Sequence, residues 1–161
     1  MKRSLSSVCG CMLFGALGCA SLGSHADHSM TASQVEDSCD GLDSTVREQR
    51  LLGDQFEVRS SRALYTRSGK QMTRRPVGVQ FSVAPRRGID SVWLERAARC
   101  HMNQHAAAAA RGEPASADDP LSIEGAEVRV RDSQGYYILQ LTSRHPATAR
   151  RLAEYADQHS D

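Results

Sequence analysis

The densest run of chemically capable side chains is Cys100-His101-Met102-Asn103-Gln104-His105. His101 and His105 are four residues apart, a spacing that on a helix brings both rings within reach of one ion. Cys100 and Met102 add soft sulfur, which favours copper(I) or zinc over hard cations. Helical geometry works against the full set. At about 100° per residue, His101 stands roughly 100° round from Cys100 and Met102 roughly 200°. Four ligands on one ion would require the helix to unwind, and His101 with His105 alone makes a two-ligand surface site. The competing reading is an interfacial histidine beside a core or disulfide-bonded cysteine, and ligand number favours it. Nucleophilic catalysis has less support. Cys100 and His101 diverge too far to share a proton, and no Gly-rich elbow presents a serine. No C-x-x-C, C-x-x-C-H or H-E-x-x-H occurs. Glu95, Glu124 and Glu127 are carboxylates that no motif pairs. A protein that is not an enzyme is the expectation.

The elements that must carry these residues follow from apolar periodicity. Asp90 or Ser91 opens a helix that runs to about Arg111, with Ile89, Trp93, Ala97 and Cys100 on one face and Leu94 at its edge. The alanine run 106–110 has the best available helix propensity, and Gly112-Glu113-Pro114 stops it. Before it, Val77, Val79, Phe81 and Val83 alternate with Gly78, Gln80 and Ser82, which predicts a half-buried strand. Phe56, Val58 and Ala63-Leu64-Tyr65 suggest one or two further strands. After the helix, Ala126, Val128 and Val130 alternate with Glu127, Arg129 and Arg131. A turn at Asp132-Ser133-Gln134-Gly135 leads to a return strand through Tyr137, Leu139 and Leu141. His145-Pro146 opens a last helix, with Ala149, Leu152, Ala153 and Ala156 as its apolar stripe.

The fold class is therefore α+β. The order strand, helix, strand, strand, helix predicts a small two-layer sandwich resembling an incomplete ferredoxin-like unit. On the return strand Tyr136, Ile138 and Gln140 face away from Tyr137 and its neighbours, so they belong to the sheet face without helices. Such a face is either a half-wet surface or a site of recognition or dimerisation.

The N-terminus reads as an export address. Lys2 and Arg3 precede an apolar stretch from Leu5 to Leu17, too short to span a bilayer. Ala16-Leu17-Gly18-Cys19 then resembles in part the lipobox of bacterial lipoproteins, although the family prefers Leu where Ala16 stands. On that reading residues 1–18 are the signal and Cys19 carries the lipid, which would anchor the chain to a membrane. Ala20 is not Asp, which points to the outer rather than the inner membrane. The alternative is ordinary cleavage after Ser24-His25-Ala26, with 1–26 as the signal and a periplasmic or secreted product. Residues 19–54 then form a flexible polar tether with a short helix over Ser44 to Leu52, and 55–161 a single α/β domain.

Charge and cysteine content narrow the function. Losing Lys2 and Arg3 from 20 Lys and Arg leaves 18 against 19 Asp and Glu, a net charge near −1. That balance argues against nucleic acid as a partner. Of five cysteines only Cys39 and Cys100 lie beyond the leader, and an oxidising envelope would allow them to pair.

Trp93-Leu94, Cys100-His101 followed by Ala106-Ala107, and Pro120-Leu121 ahead of the hairpin make residues 77–152 similar to a group of uncharacterised exported bacterial proteins. The resemblance implies export and brings no activity. The expected function is a non-catalytic envelope or secreted protein without a cofactor, which binds a protein or small ligand. The alternative is a periplasmic copper or zinc protein using His101, His105, Cys100 and Met102.

Overall fold

The computed structural model describes residues 32–68 and 73–159. The signal region and Cys19 lie outside the described residues. Four antiparallel strands form one sheet in the order β1-β2-β4-β3: β1 (Val58–Ser68), β2 (Thr73–Val83), β3 (Glu127–Ser133) and β4 (Tyr136–Thr142). The alternation in β2 is realised, with Val79, Phe81 and Val83 almost fully buried. They pair across to Leu141, Leu139 and Tyr137 of β4, so one face of the sheet is continuously apolar. Gly135, at φ 77°, supplies the left-handed residue that the β3–β4 turn needs.

Two long helices cover that face. Helix α3 (Ser91–Ala110) packs on β3, and α4 (Pro146–Gln158) packs on β1 and β2. Asp90 caps α3 by accepting the Trp93 N–H at 2.7 Å. Pro146 occupies the first turn of α4, as anticipated, but the His145 side chain makes no capping bond. Because β4 is antiparallel to both β2 and β3, those two run the same way with β4 between them. The unit β2-α3-β3 is thus a split βαβ, and the α+β sandwich has the predicted strand-helix-strand-strand-helix order. The added feature is β1. It fills the edge position beside β2 that the last strand of a ferredoxin-like unit would occupy, and it arrives from the N-terminal side.

The N-terminal segment corrects one expectation. Residues 32–54, assigned above to a tether with a short helix over Ser44 to Leu52, pack into the main core, and the short helix is present. Helices α1 (Ala32–Cys39) and α2 (Ser44–Glu48) both pack on α3. Cys39, Leu42, Val46, Leu51 and Leu52 are buried in the main core with Phe56. A disulfide joins Cys39 to Cys100, with Cα atoms 4.9 Å apart. The segment looked polar because each short element contributes only one or two apolar side chains, at no fixed period. The same packing widens the buried arc of α3. Leu94, Ala98 and His101 are buried along with Ala97 and Cys100, whereas Trp93 is half-buried against Phe56.

Two local devices keep the sheet in register. A Cβ on Gly78 would lie 1.9 Å from the Leu141 carbonyl oxygen, so only glycine permits the close approach of β2 and β4 there. On the edge strand β3, the Val130 N–H donates to Glu95 Oε2 at 2.8 Å, while Glu95 Oε1 holds Arg99 at 2.6 Å. The carboxylate thus occupies a backbone donor that an unprotected edge would offer to another chain.

Candidate functional site

The residues of the Cys100–His105 run are positioned by α3, and the structure sends them to different neighbours. The Cys100 sulfur is consumed in the disulfide. His101 is 4% exposed, and its Nε2 lies 2.5 Å from the Val46 carbonyl oxygen, tying α2 to α3. Burial holds its pKa below the ordinary 6.5, and the bond to Val46 only partly opposes that effect. His105 lies one turn further on, with Nε2 3.1 Å from Asp119 Oδ2. Asp119 is itself buried and accepts the Leu121 N–H through its other oxygen at 2.9 Å. Burial acts to raise the Asp119 pKa, but the bonds from His105 and Leu121 outweigh it and the net direction is below 3.8.

Met102 and His105 line a cleft of about 110 Å³ between α3 and the 120–126 loop. That is well under the roughly 300 Å³ of the smallest usual ligand pockets. The described residues lend the copper or zinc alternative no support. Cys100, His101 and His105 are each engaged with a different partner, and no group of three or more His, Cys, Asp or Glu that could hold a metal is found among the described residues. The cause is the angular spread of neighbouring helix positions, together with the oxidation of the one thiol.

The His105–Asp119 pair is a carboxylate-oriented imidazole, the base half of a nucleophilic site. Its other half is missing. Among the described residues no hydroxyl or thiol is hydrogen-bonded to His105 or His101. The nearby Ser122 hydroxyl is directed to the Ser116 and Asp119 carbonyl oxygens, each at 2.7 Å. Asp119 and Ser122 shape the 116–123 loop, and sequence alone gave no reason to single them out.

The sheet face opposite the helices forms a second candidate surface. Register places Ser60, Arg62 and Leu64 of β1 on it, with Gln80 and Ser82 of β2. Tyr136, Ile138, Gln140 and Thr142 of β4 and Glu127, Arg129 and Arg131 of β3 complete it. Tyr137 points the other way, its hydroxyl donating to the Ile89 carbonyl oxygen at 2.7 Å. Tyr136, Ile138 and Gln140 thus share the outer face. Ile138 is nevertheless 5% exposed, so its neighbours shield it and it offers little apolar surface.

One row crosses all four strands: Arg62, Gln80, Gln140 and Arg129. Gln80 Oε1 accepts from Arg62 at 3.2 Å and from Gln140 Nε2 at 3.0 Å, which fixes the two amides side by side. Arg62, Arg129, Arg131 and Glu127 are exposed. None of the three ion pairs among the described residues involves a guanidinium of this face. The period-two polar positions of β2 carry the signal that puts Gln80 on this face. Arg62 had no such signal, because the pattern of β1 is broken by a register shift after Val58. No family model, curated protein or solved structure matches the chain.

Proposed function

We propose that this chain is an exported, non-catalytic binding protein of the cell envelope whose partner docks on the outer face of the sheet. The observation that supports this most is the row Arg62-Gln80-Gln140-Arg129, an ordered polar array on a face that no described helix covers. A sheet face fixed by cross-strand hydrogen bonds presents donors with little loss of side-chain freedom on binding. The disulfide fits an oxidising compartment, in line with the export address. The address leaves two routes, lipidation at Cys19 or cleavage after Ala26.

The test is site-specific photo-crosslinking in cells. A benzophenone side chain at Tyr136 or Glu127 is expected to give an adduct of raised mass, a sharp species for a protein partner and a smear for a polymer, and one at Val92 or Arg150 on the helices is not. Adducts from the helix positions alone, or from none of the four, would remove the sheet face as the docking surface.

A further inference from the structure

We infer that the ligand of the outer sheet face is an acidic polysaccharide, a hydrated chain bearing carboxylates among hydroxyl groups. This rests on the open-face reading above and names its partner class. Exposed guanidiniums, Arg62, Arg129 and Arg131 among them, stand there beside the carboxylate of Glu127, although the mature chain as a whole is near neutral. Strand spacing puts Arg62 about 14 Å from Arg129, with two amides between them. Gln80 is 6% exposed and serves as the acceptor that holds Arg62 and Gln140, so the exposed guanidiniums and the half-buried Gln140 amide are the groups that match a chain alternating carboxylates with hydroxyls.

The same face is poorly suited to other anionic partners. Protein interfaces centre on an apolar, aromatic-rich core, and here the central apolar side chain, Ile138, is shielded. Single-stranded nucleic acid needs stacking platforms. Tyr136, the aromatic side chain that the described strands place on this face, is half-buried at the start of β4. An anionic bilayer held by insertion needs exposed apolar side chains, which the polar row does not supply.

The experiment measures binding of the oxidised mature protein to polygalacturonate by calorimetry at low ionic strength, with dextran, a single-stranded oligonucleotide and phosphatidylglycerol vesicles alongside. Saturable binding to polygalacturonate is expected, with none to dextran and weaker binding to the oligonucleotide and vesicles. A variant carrying Arg62→Gln, Arg129→Gln and Arg131→Gln should lose about tenfold or more in affinity, with a melting temperature close to that of the parent. A variant with Arg150→Gln and Arg151→Gln removes charge from the exposed side of α4 and should bind within about twofold of the parent. No binding to polygalacturonate, equal losses in both variants, or tighter binding of the oligonucleotide or vesicles would overturn the assignment. A sharp adduct from Tyr136 or Glu127 together with any of those results leaves the docking face standing and removes only the polysaccharide, whereas a smeared adduct accords with the polymer.

Discussion

His101 shows how a residue read for chemistry is used for architecture. Its ring joins α3 to the Val46 carbonyl oxygen from a position 4% exposed, and burial depresses its pKa below 6.5. Asp119 and His105 face it electrostatically from the 116–123 loop and from the next turn of α3, the first favouring and the second opposing its charge. The unfolded chain therefore takes up a proton near pH 6.5 that the folded chain refuses. Stability falls as pH drops below about 6.5, until the folded ring also titrates. Asp119 acts in the same direction at lower pH: its depressed carboxyl contributes stability above 3.8 that is lost as pH falls through its folded value. Urea unfolding at pH 7.5 and pH 5.5 is expected to show lower stability at the acid value. His101→Gln should show a smaller difference between the two, and an unchanged difference would remove His101 as the cause. The spacing of His101 and His105 was legible in the sequence. Their separate partners were not, because Val46 and Asp119 approach from 55 and 14 residues away.

At the scale of elements, the disulfide and α1 form one device. Helix α1 is eight residues long, below the length at which an isolated helix holds together in water. It is retained because Cys39 is bonded to Cys100 on α3 and because Arg47 donates to the Cys39 carbonyl oxygen at 2.7 Å. Closing a loop of 61 residues stabilises by about 4 kcal/mol in the chain-entropy model. Cys39→Ser with Cys100→Ser should lower the unfolding free energy by about 3–4 kcal/mol in chemical denaturation. Trypsin should then cut first at Arg47 or Arg50, and protection of both sites in the double variant would contradict this arrangement. The two long helices, β2, β3 and β4 were legible because each carries its own apolar period. Strand β1 and helices α1 and α2 were less so, since an edge strand and one-turn helices bury too few side chains to write a period.

At the scale of the whole molecule, the core extends further toward the N-terminus than hydropathy suggests. Leu42, Val46, Leu51 and Leu52 are each at most 7% exposed. Burial of side chains of that size contributes about 1.5–3 kcal/mol each. Together they approach the total net stability of about 5–15 kcal/mol that a domain usually has. A chain beginning at Gln55 should therefore lose cooperative thermal unfolding by circular dichroism, whereas one beginning at Asp27 should retain it. A cooperative transition of the shorter chain near the parent's temperature would show that 32–54 is dispensable.

What the amino-acid order determined by itself was local: the strand and helix periods, the α+β class, and the two cysteines free to pair. Each follows from how neighbouring side chains alternate along one element. What only the tertiary structure decided was non-local. It placed β1 beside β2, drew residues 32–54 into the core, parted the metal-like cluster and aligned Arg62, Gln80, Gln140 and Arg129 on one face. The reason is that a period tells a side chain which side of its own element it occupies. Pairing between distant strands, and the helices that cover only one side of them, decide which residues meet and which face stays open.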